Sequence, residues 1–352
     1  MKFSYTIAGG AVRIDRVEEP QQIVIIPDNL DGYPVTELGD YALAGSSLEE
    51  IWLPTNLKKI GAYGFYNCER LRCLHCSSRI IDLGTGLFAG AGSVEVLDME
   101  LFEGEKSCLK ELLSELRQTL RVRLRLGENG GEARLIFPEY YEESVENTPA
   151  RILYIETHGC GHRYRYCFGG TEFEYQKYDE LFPHVKVQEP EDLVTELALG
   201  RLGYPLRLSG KYEKMYQEYV TEHWKTAGRL LIGADVKGGR GYGNVEAGRI
   251  PWLVETVLRL EDGRPEDGRR KDGWSEDTRQ EDRETNDRID RGIRARPEIQ
   301  VQELIQMAQQ AGDTQAVSWL MDFRHRNIRR EKGDEWNGQG QRKERKRRRF
   351  EL

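Results

Sequence analysis

The sequence predicts an α+β protein: a short β-rich solenoid at the amino-terminal end, a mixed α/β region, and a helical hairpin near the carboxyl-terminal end. Three observations predict this. A period of 22–23 residues runs through residues 20–100, strand-like and helical apolar spacings follow each other over 104–235, and two helical apolar stripes follow residue 298. Repeats of this length mark solenoids, in which each unit buries its apolar edge against its neighbours.

Three copies of the repeat begin at Val35, Leu57 and Ile80. The apolar positions that recur in them are Leu48, Leu71 and Val94, then Ile51, Leu74 and Leu97, and finally Leu43, Phe65 and Phe88. We expect these positions to stack one above another in a common core. Glycines recur at 39, 61 and 84, where the chain is expected to turn sharply. The segment Phe3–Ile14 is expected to start the sheet, and a helix after residue 104 to close its other end.

The segment IPDNLDGYPVTELGDYALAGSSLEEIWLPTNLKKIGAYGFYNCERL carries alternating I-G-x-x-A/G-F and S-L-x-x-I-x-L-P phrases. In these phrases residues 20–100 resemble the BspA-like bacterial leucine-rich repeats. The resemblance implies a leucine-rich-repeat solenoid with a strand ladder and an interaction role. The third copy has degenerate flanks, so it is expected to be a capping turn.

An outward-facing surface on the strand ladder is the predicted interaction site. Trp52 alternates with the inward Ile51 and Leu53, and an outward tryptophan is a typical interface anchor. Cover from a neighbouring domain is the alternative role for Trp52. The candidate binding residues, all expected to be exposed, are Glu50, Trp52, Arg70, Arg72, His75 and Glu95.

Cys73 and Cys76 form a C-x-x-C pair, which has two interpretations. Such pairs occur in metal and redox sites. Cys76, however, occupies the repeat position of Leu53 and Met99, and a free cysteine behaves as a small buried hydrophobe. Packing therefore accounts for the pair without chemistry.

The middle region, 104–235, mixes the two periodicities. A helical stripe lies over residues 109–120, and the next residues, 120–126, alternate leucine or valine with Arg121, Arg123 and Arg125. This arginine row is either phosphate-facing or the solvated face of a strand. A turn and a return strand over 133–137 follow, then extended pieces at 152–155 and 163–168, and later two helices that start near Asp192 and Ser209.

A possible metal site lies in the same region. If its segment is a strand, then His158, Cys160 and His162 share one face, and Cys167 follows five residues later. Zinc accepts cysteine and histidine ligands, although this spacing departs from the common paired motifs. A glycine loop that leads into a strand rich in tyrosine and arginine is the alternative.

The last third divides into helical and charged segments. The phrase ELIQMAQQAGDTQAVSWLMDF resembles one ankyrin repeat, through Ala308, Gly312 and Leu320 among others. Residues 261–297 hold 12 acidic and 10 basic side chains and few apolar ones, which favours disorder. The predicted organisation is a repeat solenoid at 1–103, a mixed α+β domain at 104–235, an ankyrin-like helical module at 236–260 and 298–330, a disordered charged insertion at 261–297, and a basic disordered tail at 331–352.

These patterns together predict a non-catalytic protein that binds a protein partner, with no cofactor. Two alternatives remain. One is a metal-binding protein or hydrolase built on residues 158–167, and the other is nucleic-acid binding through the end of the tail, where residues 342–352 hold seven Lys/Arg and two Glu for a net charge of +5. The net charge of −8 disfavours nucleic acid for the chain as a whole. The chain shows neither an export signal nor a membrane-spanning run, so we expect a cytoplasmic protein with reduced thiols. The oligomeric state stays open.

Overall fold

The computed structural model describes residues 2–102, 107–127, 130–147, 152–232, 249–258 and 297–327. These residues belong to two compact units, the first running to Tyr216 and the second beginning at Gln217. The predicted insertion at 261–297, except for Pro297, and the whole of the predicted basic tail at 331–352 lie outside the described residues. So do residues 236–248, 259–260 and 328–330 of the predicted helical module.

The first unit begins with two facing β-sheets wound as a solenoid. Its strands are β1 (Lys2–Ala8), β2 (Ala11–Glu18), β3 (Ile23–Ile25), β4 (Asn29–Leu30), β5 (Tyr33–Leu38), β6 (Glu50–Trp52), β7 (Lys59–Ile60), β8 (Cys73–Ser77), β9 (Asp82–Leu83), β10 (Val96–Leu101), β11 (Leu120–Leu126) and β12 (Glu132–Phe137). One sheet has the order β1-β2-β5-β7-β9, with β4 beside β5, and the other has the order β12-β11-β10-β8-β6-β3.

Successive copies of the repeat lie in register, as the period predicts. Ile51 pairs with Leu74 in a parallel ladder, and Leu74 pairs with Leu97. Leu48, Leu71 and Val94 are each fully buried. Each short strand therefore buries its inward side chain against the turn before it and the turn after it, and the predicted stack of copies is confirmed.

The recurring glycines are required by close contact between turns. A side chain at Gly61 would overlap the backbone of Gly39 and Asp40, and one at Gly84 would overlap the backbone of Gly61 and Ala62. Neither residue has a positive φ, so the constraint is the separation of the turns and not the backbone conformation that the sequence suggested.

The repeat sheet continues past the boundary predicted at residue 103. Strand β11 pairs in parallel with β10, with Leu97 opposite Val122, and β12 returns antiparallel to β11. Helix α1 (Leu109–Glu115) lies between β10 and β11 in the sequence, and it buries Leu109, Leu112 and Leu113. The leucine-rich stripe that predicted this helix is thus its buried face.

The rest of the first unit is a hairpin, a small β-ribbon and a group of helices. The hairpin is β13 (Tyr141–Asn147) and β14 (Ile152–His158), and the ribbon is β15 (Phe168–Gly169) and β16 (Glu172–Phe173). The helices are α2 (Gly161–Tyr164), α3 (Tyr175–Glu180), α4 (Phe182–Gln188), α5 (Glu191–Gly203) and α6 (Gly210–Glu222), of which the last runs on into the second unit. The strand expected over 163–168 is therefore wrong, because 161–164 is helical.

The second unit is helical. Its elements are α7 (Trp224–Leu231), α8 (Ile250–Trp252) with a π-helical turn at Leu253–Val257, α9 (Pro297–Ala311), and α10 (residues 314–327). Lys225 on α7 forms an ion pair of 2.6 Å with Glu303 on α9, and Gly228 lets Leu304 approach the backbone of α7. The two helices predicted after residue 297 are present, while their likeness to an ankyrin repeat stays a prediction.

Candidate interaction face

The candidate site is the outer face of the sheet that contains β3, β6, β8, β10 and β11. Its central row takes one side chain from each strand, and each residue lies beside the next in register: Ile25, Trp52, His75, Asp98 and Arg123. The alternate residues of the same strands, such as Ile51 and Leu74, are buried in the core. The row therefore points away from the core, as the pleat of a strand requires. We call these five residues the ladder row.

Trp52 is held in one orientation although 40% of it is exposed. Its ring stacks on the ring of His75, with centroids 3.5 Å apart and planes 6° from parallel. Its Nε1 donates a hydrogen bond of 2.7 Å to the Glu50 carboxylate. Ile25, 61% exposed, lies beside it in register on β3, the last strand of this sheet among the described residues. The face thus presents a fixed aromatic ring next to exposed aliphatic surface.

His75 lies between two carboxylate side chains, one of which also contacts two arginines. His75 Nε2 lies 3.2 Å from Glu50, and its Nδ1 lies 3.4 Å from Asp98. Asp98 in turn lies 3.1 Å from Arg125 and 3.6 Å from Arg123. Burial alone would raise the pKa of Asp98, but His75 and the two guanidinium groups outweigh it and hold that pKa below its ordinary value of 3.8. Asp98 is therefore a buried carboxylate that orders its neighbours.

The arginines of β11 are paired with carboxylates of the same chain. Arg121 forms a bidentate pair with Glu196 at 2.6 and 2.7 Å, and Arg123 also contacts Glu132 at 3.1 Å. Each of these guanidinium groups already faces a carboxylate. The phosphate-facing alternative for this row consequently has no free charge to act with.

The six predicted binding residues fall into two groups. Trp52, His75 and Glu50 form the stacked cluster, but Glu50 is only 7% exposed, so the expectation that its side chain lies on the surface is wrong: the tryptophan and histidine rings cover it. Arg70 pairs with Glu49 at 3.0 Å, and Arg72 pairs with Glu95 at 2.7 Å. These two exposed pairs border the cluster as a polar rim.

Ile25, Asp98 and Arg123 belong to the same row, although they are not among the binding residues predicted from the sequence. A signal for two of them was present, because Ile25, Trp52, His75 and Asp98 follow each other at 27, 23 and 23 residues, which are the repeat spacings themselves. Arg123 had no such signal, since β11 lies outside the sequence repeat and joins the sheet only through the fold.

Cys73, His75 and Asp98 have the order of a nucleophile, a base and an orienting acid, but their environment opposes catalysis. Cys73 Sγ lies 3.2 Å from His75 Nε2. Cys73 is fully buried, and burial raises the pKa of its thiol, a rise to which Glu50 and Asp98 add. A nucleophilic cysteine needs the opposite, an accessible sulfur with a lowered pKa. The neighbouring Cys76 is also buried and pairs in register with Met99, which agrees with the packing interpretation.

The structure does not bring the proposed metal ligands together. His158 ends β14 and stacks on Tyr141, whereas Cys160 is buried and donates to Glu189 at 3.1 Å. His162 lies on α2 between two tyrosine rings, and burial raises the pKa of the Cys167 thiol to about 12. Over the described ranges there is no group of three His, Cys, Asp or Glu residues placed to hold a metal ion. The prediction that these side chains share one face is wrong, because residues 159–164 form a turn and a helix and not a strand.

We expect Asp98→Asn to destabilise the protein at pH 7 and to do so less in acid. A carboxylate with a lowered pKa contributes stability above its unfolded pKa of about 3.9, and this is lost as the pH falls through the folded value. Loss of a charged partner for Arg125 should cost about 1–3 kcal/mol at pH 7. Hydrogen exchange of the β8 and β10 amides, compared between the two proteins at pH 7, 5, 4 and 3, measures the difference within the first unit. A difference that stays constant with pH would contradict the assignment.

Residues 23–110 match the BspA type leucine rich repeat region, in six copies. Two solved structures are similar. One is a leucine rich cell surface protein from Faecalibacterium prausnitzii A2-165, at 16% identity and a TM-score of 0.27, and the match covers 35% of this chain and 41% of that one. The other is the leucine rich repeat protein TpLRR from T. pallidum, at 17% identity and a TM-score of 0.22, and the match covers 36% of this chain and 78% of that one. This chain thus spans about two fifths of the first of them. No curated protein matches.

The match confirms the repeat that the sequence predicted and extends it at the carboxyl-terminal end, where it reaches residue 110. The solenoid is thus a BspA-type repeat region, which continues in space through β11 and β12. In the portion of the chain that the structure describes, no helix has the length and apolar character needed to cross a bilayer.

Proposed function

We propose that this protein is a non-catalytic binding protein and that it engages a protein partner through the surface around Trp52. The single observation that supports this most is the fixed, exposed tryptophan. Its ring is already ordered by His75 and Glu50, so binding costs it little further conformational freedom. Tryptophan is also one of the three side chains, with tyrosine and arginine, that are enriched among residues that dominate binding energy.

The surroundings of Trp52 have the anatomy of a protein interface. Ile23 and Ile25 supply exposed aliphatic surface on the strand beside it. The ion pairs Arg70–Glu49 and Arg72–Glu95 lie at the amino-terminal ends of the neighbouring strands. An apolar and aromatic centre with a charged margin is the arrangement seen in protein–protein contacts.

Catalysis and metal chemistry have less support. The cysteines that resemble a nucleophile or a ligand are buried, and their thiol pKa values are raised. Six free, buried thiols agree with a reducing compartment, so a cytoplasmic location remains our proposal.

We expect Trp52→Ala to weaken partner binding by about 30-fold or more, the size of a 2 kcal/mol contact. A photo-crosslinking residue placed at Ile25 would first identify the partner in cells of the native organism, and the same residue at Val187, which is 85% exposed outside this face, is the positional control. Affinity is then measured with the purified partner. Tyr166→Ala removes an aromatic residue that is 63% exposed outside this face and should bind normally. A partner that crosslinks equally from both positions, or that binds Trp52→Ala unchanged, would overturn the proposal.

A further inference from the structure

One of the two solenoid sheets ends at an edge that no strand of the described structure covers. Strand β9 is the last member of the order β1-β2-β5-β7-β9, and among the described residues nothing pairs with its outer side. Ile81, which immediately precedes it, is 81% exposed. Open sheet edges present unpaired backbone groups and are where extended peptides add as an extra strand.

The earlier turns show what each edge carbonyl normally accepts. Thr36 and Leu38 accept hydrogen bonds from the N–H groups of Lys58 and Gly61, both at 2.8 Å. One turn later, Lys58 and Ile60 accept from Ile81 and Gly84, at 2.9 and 2.8 Å. The carbonyls of Ile81 and Leu83 hold the same two positions in the last turn, where the described structure supplies no donor for them.

Helix α1 closes only the other side of this last turn. In the earlier turn the N–H of Phe65 donates to the carbonyl of Leu87. The equivalent N–H of Phe88 donates instead to the carboxylate of Glu115 on α1, at 3.1 Å. The helix therefore replaces the missing repeat beside Phe88 and leaves β9 open.

A cleft of about 640 Å³ lies between β9 and α1. Three carboxylate residues line it, Asp82, Glu111 and Glu115, together with apolar side chains that include Leu83 and Leu112. Among the described residues that line it there is no lysine, arginine or histidine. The three carboxylate residues are exposed and Leu112 is buried, so the cleft combines negative charge with apolar surface. This combination selects against an anionic occupant.

The charges along this sheet predict the charge of the side chain that an added strand would place beside Asp82. Lys59 on β7 lies 3.3 Å from Glu37 on β5 and 3.6 Å from Asp82 on β9. The row therefore alternates acid, base, acid, and a basic side chain on the next strand would continue it. Two copies of this chain paired through β9 would instead bring Asp82 close to Asp82, which opposes self-association.

We propose that the outer edge of β9 binds an extended segment of a partner protein in which a lysine or arginine lies opposite Asp82 and the following aliphatic residue covers Leu83. This is the chemistry that Lys59-Ile60 shows inside the solenoid. The added strand donates backbone N–H groups to the carbonyls of Ile81 and Leu83. It uses a surface separate from the one around Trp52, so either proposal can fail alone.

The test uses a peptide with the sequence of residues 55–62, TNLKKIGA, because these residues present the required donors in the native ladder. Fluorescence anisotropy of the labelled peptide with the full chain should show saturable binding with a Kd of the order of 100 μM, weak because a short peptide must lose its conformational freedom. A scrambled peptide, NKTGKALI, has the same composition and charge and should bind at least tenfold more weakly.

Asp82→Lys should lower the affinity for the peptide at least tenfold. Glu18→Gln, which neutralises an exposed carboxylate on β2, should leave this affinity unchanged, and so should Trp52→Ala. Photo-leucine in place of the peptide's isoleucine should crosslink to residues near Leu83 and Leu112. Equal binding of the two peptides would show attraction by charge alone and would overturn the proposal. So would a dimer, seen by sedimentation without peptide, that separates on Asp82→Lys, because the occupant would then be a second copy.

Discussion

Replacing Asp179 by alanine is expected to lower the free energy of opening of the first unit around α3 and α5 by about 3–5 kcal/mol, the cost of leaving a buried charge without its partner. Asp179 and Arg201 are both fully inaccessible to solvent. Arg201 donates two hydrogen bonds of 2.9 Å to the two carboxylate oxygens, and the Tyr216 hydroxyl donates a third at 2.8 Å.

The expected loss comes mainly from the arginine that remains. Arg201 also donates to the carbonyl of Leu206 at 3.2 Å, which cannot replace the two bonds to the carboxylate. A buried ion pair is weak evidence of net stabilisation, but a single buried ion is strongly unfavourable. The pair ties α3 to α5, and Tyr216 adds α6 to the same cluster.

Hydrogen exchange measured by mass spectrometry resolves this loss within a chain of two units, where one unfolding free energy is not defined. Amides of α3 and α5 should exchange about 10²-fold faster or more in Asp179→Ala. The double variant Asp179→Leu with Arg201→Leu removes both charges and should recover part of the protection. Single and double variants that exchange alike, or a loss below 1 kcal/mol, would show that this pair does not hold the helices together.

Phe65→Ala is expected to destabilise the solenoid by about 3–5 kcal/mol. Phe65 is fully buried and stacks on Phe88 of the next copy, with ring centroids 5.4 Å apart. The truncation leaves a cavity between two turns, and neighbouring turns cannot close on it because their backbones are already in contact at Gly61 and Gly84.

Tyr66→Ala is the matched control, since the tyrosine follows Phe65 directly and is 39% exposed. It contacts Tyr41 and Tyr63 only at ring edges, so its loss should cost less than about 1 kcal/mol. Exchange of the β6 and β8 amides reports the difference. If both substitutions had equal effects, the aromatic stack would not be part of the core.

The interaction face shows how far repeat spacing can be used to find a site. The spacing identified Trp52 and His75, and it also contains Ile25 and Asp98, because equivalent positions in stacked copies must lie side by side. It could not show that Glu50 lies beneath two rings, since burial here depends on the stacking of Trp52 over His75. It also gave no sign of Arg123 and Arg125, which come from a strand without the repeat phrase.

Outside the repeat, local pattern was a weaker guide. Glycines at 159 and 161 and the polar residues around them left a strand and a loop both open, and the structure instead contains a short helix. That helix is fixed by contacts far away in sequence: Arg165, just after it, is buried and donates to the carbonyls of Leu116, Gln118 and Pro138. No window of neighbouring residues contains those acceptors.

The sequence by itself determined the stacked solenoid, the alternation of buried and outward side chains, and the helices with long apolar stripes. These follow from local spacing, because each copy meets the same contacts as the copy before it. Only the tertiary structure decided that β11 extends the repeat sheet and that the ion pairs of its arginines neutralise that part of the face. It also decided that no described strand pairs with the outer side of β9, beside an acidic cleft. Each of these depends on segments remote in sequence, whose pairing is set by the packing of the whole unit and is not encoded in any short pattern.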